Sequence, residues 1–323
     1  MFRLIHIVIV SLFLWANTAI SQSLAQWAQE FPKGDFSQAI VPLQEIEYDG
    51  NVRDSIPPID NPKYVNVQQS DQYGDFEPVI SVTIGDDARA YPLQLMLWHE
   101  IVNDVIGGKP LLITYCPLCN SGVVFSRNLN GQLLDFGNSG RLRNLDMVMY
   151  DRQTESWWQQ FTGTAIIGSL AGQKMQQIPS RLESLAMFRE REPAGLVLVP
   201  NNPNARPYGT TPFAGMDSRR ASRRFSKWPL PEGINPMQYV VVANGKAWPL
   251  NRLKDAGTLS EAGLSFTWNA GRNSLHDRRK IAKGRDLGTV LVKDASGADV
   301  VYDVVFAFAF AAFIPDGDWM LGN

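Results

Sequence analysis

The chain is poor in the side chains that most often carry metal and redox chemistry: 323 residues hold two cysteines and three histidines. With no third cysteine, an internal disulfide can only join Cys116 to Cys119. G-x-G-x-x-G, the P-loop string, H-E-x-x-H and G-x-S-x-G are all missing, so the common dinucleotide, phosphate-loop, zincin and nucleophile-elbow classes find no support. C-x-x-C-H is also missing, and covalent haem attachment goes with it. No charge excess exists to attract a polyanion: 30 basic residues face 32 acidic ones, which gives no reason to expect nucleic acid. Beyond the N-terminal segment no apolar run is long enough to cross a bilayer. The most apolar, Val304 to Ile314, alternates Phe with Ala, and that period of two predicts a buried strand.

What is present reads as an ordinary globular protein behind an export signal. Hydrophobic residues make up 45% and charged residues 19%, which excludes disorder and fibrous repeats. Met1 to Ala25 has Arg3, an apolar run from Leu4 to Ala16, and small residues placed for cleavage (Ser23 and Ala25, or Ala19 and Ser21). An uncleaved anchor is the alternative, but the run is short for a spanning helix. The expected location is therefore periplasmic or secreted, with no transmembrane helix after signal removal.

The two cysteines stand at C-x-x-C spacing in LLITYCPLCNSGVVF, Leu111 to Phe125. An apolar β-type run leads into them, Asn120-Ser121-Gly122 breaks the chain, and Val123 starts a second strand. Leu111 to Tyr115 is apolar on both faces and predicts an interior strand. Upstream, Val79 to Ile84 and Ala88 to Tyr91 form a hairpin around Gly85-Asp86-Asp87. Pro92 then opens a helix expected to run to about Val105, with His99 off its apolar arc. Downstream, short strands cover Gln132–Phe136, Asp146–Tyr150, Ser156–Gln160, Ala165–Ile167 and Leu196–Val199, and Pro179 to Glu190 reads as an amphipathic helix. Trp27 to Val41 is polar and is expected to pack loosely.

Two segments echo each other. VTIGDDARAYPLQLM from Val82 and VVVANGKAWPLNRLK from Val240 both read as strand, polar turn, Ala-aromatic-Pro-Leu, then helix. The expected fold is a β-rich α+β protein of two related halves, an internal duplication, with a few short helices. The division runs 1–25 signal, 26–200 the half carrying the C-x-x-C site, 201–231 linker, and 232–323 the second half.

The strings ARAYPL, WHEIVND, TYCPLCNSGVVF, FGNSGRLRN and MVMYDRQTESWWQQ resemble an exported family catalogued as domain of unknown function 3179. The likeness runs from about Ile56 to the C-terminal AFIPDG. It implies no activity, but it draws attention to His99, Cys116, Cys119, Asp151, Arg152 and Trp157.

Three chemistries fit the cysteines. A disulfide over so short a loop constrains the unfolded chain little, so it would be a weak structural device in a non-catalytic envelope module. Thiol–disulfide exchange with a partner protein fits the local Tyr-Cys-Pro-Leu-Cys string, yet the residues after Cys119 make a poor helix and would not lower a thiol pKa. A soft or borderline ion, copper or zinc, suits two thiolates and needs a third ligand. His99, with Met96 one turn back, is the expected candidate, against the alternative of a hydrogen-bonded histidine. Asp151, Arg152 and Trp157 suggest a polar pocket with an aromatic wall, against the alternative of a pair fixing a hairpin turn. Whether the protein is an enzyme stays open at this point.

Overall fold

The computed structural model describes residues 24–218 and 223–322. Residues 1–23 of the expected 1–25 leader lie outside the described residues, as do residues 219–222 of the expected linker.

The first hairpin forms as its turn chemistry predicts. Pro78–Ile84 pairs antiparallel with Asp87–Pro92, and Gly85 takes the left-handed φ of 60° that the turn needs. Pro92, at φ −58° and ψ 130°, then starts the helix Leu93–His99. That helix ends well short of Val105. Glu100 is left-handed, at φ 58° and ψ −24°, and Ile101–Ile106 is a strand. The β-branched Ile101, Val102, Val105 and Ile106 favour the pleated conformation, and Gly107-Gly108 turn a hairpin where a helix end was expected. Ile101–Ile106 pairs with Lys109–Cys116, which pairs with Ser121–Ser126, so the cysteine-bearing strand is interior to its sheet.

Two other expectations are corrected. Val304 to Ile314 splits into the strand Asp303–Phe306 and the helix Ala307–Phe313. Ala307 to Ala311 are all buried, and a helix enclosed on every side shows no 3.6-residue pattern. Pro179 to Glu190 likewise splits. Arg181–Ser184 pairs with Pro78–Ser81, and Ser184 Oγ accepts from Met187 N at 3.3 Å to cap the helix Leu185–Arg191.

The molecule is β-rich, 38% strand against 15% helix, and its five larger sheets form a five-bladed propeller-like ring. One blade is the cysteine sheet. A second is a meander of Phe136–Arg143, Asp146–Asp151, Trp157–Gln159 and Thr164–Ile167, edged by Ile46–Tyr48. A third puts Arg181–Ser184 and Leu196–Val199 on either side of the first hairpin. A fourth puts Asp303–Phe306 and Asp318–Trp319 on either side of the hairpin Tyr239–Ala243/Lys246–Pro249. The fifth is Thr258–Glu261, Leu264–Asn269 and Thr289–Asp294.

One continuous apolar core runs from Ile59 to Phe310 through both halves. A smaller cluster collects Trp27, Phe31, Val148, Tyr150 and Trp157, so the N-terminal segment is pinned by buried aromatics and does not pack loosely. Residues 201–218 and 223–231 lie against the body: Thr211 N donates to Arg279 O, and Phe225 and Trp228 pack on Phe308. No described helix is long and apolar enough to cross a membrane.

Candidate metal centre

The C-x-x-C turn joins two strands and is held from three sides. Cys116 ends its strand, and Asn120 takes a left-handed φ of 54°, which Asn tolerates better than most residues. Asn120 Nδ2 donates to Val304 O at 2.7 Å, and Asn120 Oδ1 accepts from Tyr115 OH at 3.0 Å. Phe306 N donates to Cys119 O at 2.9 Å. Gly122 leaves room for Ile80, whose Cδ1 would sit 2.8 Å from any added Cβ. From the second half, His276 Nε2 lies 2.8 Å from Pro117 O and Nδ1 lies 3.1 Å from Tyr239 OH. A carbonyl only accepts, so Nε2 carries the proton and Nδ1 accepts.

Across from the thiols, the neighbouring blade presents Asp146. Asn144 and Leu145 turn the chain with φ of 53° and 63°, and Leu145 O accepts from Cys119 Sγ at 3.3 Å. Asp146 begins the next strand. Its Oδ2 accepts from Gln159 Nε2 at 2.6 Å and from Phe161 N at 2.9 Å, which fixes the carboxylate plane. Its Oδ1 is buried and has no hydrogen-bond partner. The ligand atoms of Cys116, Cys119 and Asp146 all lie within 4.8 Å of one another.

All three groups are buried, at 2%, 0% and 0% exposure, and both cysteines are free thiols. Burial pushes the Cys116 thiol up and the Cys119 thiol well up, and the Asp146 charge adds to both shifts. Burial also raises Asp146 to about 6, against the pull of its Gln159 and Phe161 hydrogen bonds. Three buried groups that each resist ionisation, with both thiols set against the carboxylate, match what a bound cation would resolve. The donor set fits a metal: two sulfurs, and a carboxylate oriented from behind by an amide and a backbone N–H.

The structure does not bring His99 to this group. Its Nδ1 lies 2.8 Å from Pro57 O, its Nε2 lies 2.8 Å from Tyr208 OH, and the third member of the cluster is Asp146. The physical cause is the early helix end: His99 is the last helical residue, and the next strand runs alongside the cysteine strand. The polar pocket expected from Asp151, Arg152 and Trp157 does not form either. Asp151 accepts from Thr154 N at 2.7 Å and Trp158 Nε1 at 2.9 Å, holding its own turn. Arg152 pairs with Asp60 at 3.0 Å, and Trp157 is buried among Trp27, Phe31 and Phe36.

Three residues at the site escaped sequence reasoning: Asp146, His276 and Glu100. Asp146 left one signal, an acid heading the otherwise apolar run Met147 to Tyr150. Glu100 lines a cleft of about 260 Å³ with Cys116, Asn138, Met147, Asp49 and Arg224. Asn138 Nδ2 donates to Glu100 Oε2 at 2.7 Å. Burial first, then the nearby Asp49 and Asp146 charges, raise Glu100 to about 8.

A family model described as protein of unknown function (DUF3179) matches residues 53–317. No curated protein and no solved structure matches the chain.

Proposed function

The chain belongs to the DUF3179 family of proteins of unknown function, and we propose that it is an exported cell-envelope protein that binds one transition-metal ion through Cys116, Cys119 and Asp146. The observation that carries this reading is the buried, unpartnered Oδ1 of Asp146 beside two thiols. An uncompensated buried carboxylate oxygen costs several kcal/mol, on the order of the desolvation of a charged group, and a cation removes that cost. Zinc suits the set better than copper(I), because a hard carboxylate oxygen completes it. Bound there, zinc would act as a Lewis acid or as a structural tie between two blades. The export assignment rests on the sequence of Met1 to Ala25.

Thiol–disulfide exchange is the weaker reading on physical grounds. A reactive cysteine needs exposure and a positive surrounding, whereas these thiols are buried beside carboxylates, and a strand comes after them where a helix N-terminus would be needed. A structural disulfide would leave Asp146 Oδ1 without a partner.

An internal duplication is part of the same proposal. In each half a strand hairpin ends in proline, at φ −58° for Pro92 and −56° for Pro249, and leads into a seven-residue helix and then a three-stranded sheet. In each, the hairpin is flanked by an antiparallel strand on one side and a parallel strand on the other, joined by a helix. On this correspondence the loop carrying His276 is the counterpart of the C-x-x-C turn, and the two loops meet at Pro117 O.

The test is metal analysis of protein purified from its native compartment, with a thiol count on the same sample. One equivalent of zinc, lost in Cys116→Ser, supports the reading. Metal-free protein with an intact Cys116–Cys119 disulfide refutes it.

A further inference from the structure

A cleft among the described residues reaches the buried centre. Of its three ligands, Cys116 alone is among the residues lining the 260 Å³ cleft, and the cleft's acidic side chains are Glu100 and Asp49. Among the described residues Arg224 is the only cation lining it, and it is engaged with Glu47 at 3.2 Å. Glu100 is held in place at both ends: its carbonyl accepts from Tyr115 N at 2.8 Å, and its Oε2 accepts from Asn138 Nδ2 at 2.7 Å. No positive side chain pairs with it among the described ion pairs. Asp146, fully buried, offers its ligand oxygen within 4.8 Å of Cys116 Sγ.

We propose that this cleft is the loading route of the centre: Glu100, with Asp49 at its side, is a transient ligand that takes a divalent cation from water and passes it to Cys116. This rests on the metal-binding reading above and adds a distinct claim about the path. A buried site of thiols and a carboxylate cannot be filled by a hydrated ion in one step, because the ion must shed water while still compensated by negative oxygen ligands. Glu100 offers such an oxygen within the same cavity as the first thiol. Met147, whose Sδ lies 3.3 Å from Asn138 Nδ2, supplies a polarizable wall to the same cavity.

The experiment is stopped-flow uptake of zinc at pH 8 by the chelator-treated, reduced full chain, monitored by displacement of a chromophoric chelator. Equilibrium affinity is measured on the same variants. Glu100→Gln keeps the shape and the acceptor for Asn138 and is expected to slow uptake at least about fivefold, while the affinity stays within about threefold of wild type. Asp49→Asn slows uptake less. Arg224→Gln speeds it, because the cleft loses its cation. The Asp49 and Arg224 changes shrink as salt is raised. Unchanged uptake in Glu100→Gln, or equal slowing of uptake and loss of affinity, overturns the route while leaving the centre intact. If wild-type protein takes up no zinc, the centre and the route fall together. Should Glu100→Gln not fold, the opposite signs expected for Asp49→Asn and Arg224→Gln decide the matter, and two effects of the same sign reject the proposal.

Discussion

His276 Nε2 donates to Pro117 O across 2.8 Å, so a buried side chain of the second half holds the middle of the Cys-Pro-Leu-Cys turn of the first. Replacing His276 by Phe keeps ring volume and removes the donor. The buried carbonyl then keeps only the long 3.4 Å bond from Asn120 N, and the lost hydrogen bond should cost about 1 kcal/mol in urea unfolding. The cost should depend on pH. Burial lowers His276 to about 4 from an ordinary 6.5. Below the unfolded value the unfolded chain binds the proton more tightly, so the wild type loses stability as pH falls from about 6.5 towards 4. His276→Phe should lack that component, and equal pH slopes in the two proteins would reject the assignment.

Asp146 titrates with the opposite sign. Its folded value, about 6, exceeds the ordinary 3.8, so the folded state binds the proton more tightly. Metal-free protein should lose stability as pH rises from about 4 to 6, by roughly 3 kcal/mol for a shift of this size. Asp146→Asn removes the component. The chelator-treated variant should melt higher than chelator-treated wild type at pH 7 and equally near pH 3.5, although it binds metal worse. A variant less stable than wild type at pH 7 would contradict an uncompensated Asp146.

Ligand substitutions should rank in a set order. Cys116→Ser and Cys119→Ser should abolish stoichiometric zinc binding, and Asp146→Asn should weaken it by about a hundredfold or more. His99→Ala should leave the affinity within a few-fold, because its nitrogens serve Pro57 and Tyr208. Calorimetric titration gives all four values, and a His99 effect as large as that of Asp146 would restore the histidine as a ligand. Affinity should fall with pH below neutrality in every binding variant, since both raised thiols must lose protons.

The C-x-x-C turn, its interior strand and both Pro-headed helices are legible in the sequence because each is encoded locally, by alternation, Gly/Asn breaks and proline. Asp146 is not. It reaches the thiols only because its meander becomes the blade beside the cysteine sheet, and no local pattern records which blades are neighbours. His99 misleads through the helix end. The apolar spacing from Leu93 to Val105 satisfies a helical wheel, while the actual break is a left-handed Glu100 that no Gly or Asn announces. Val304 to Ile314 misleads for a related reason: Phe–Ala alternation reads as a strand, yet the surrounding core accepts a helix buried on all sides.

The two halves should not fold apart. Asn120 Nδ2 donates to Val304 O, Phe306 N donates to Cys119 O, and one core crosses between them. A fragment ending at residue 200 should be expanded and should bind no zinc. The full chain should unfold in one calorimetric transition with matching calorimetric and van't Hoff enthalpies. Two separable transitions would show independent domains.

The most direct test of the central claim is X-ray absorption at the zinc edge on protein carrying one equivalent of metal. Two sulfur neighbours are expected at about 2.3 Å and an oxygen shell at about 2.0–2.2 Å, with part of the oxygen signal lost in Asp146→Asn. A shell of nitrogen and oxygen alone, or multiple-scattering features of a coordinated imidazole, would contradict it.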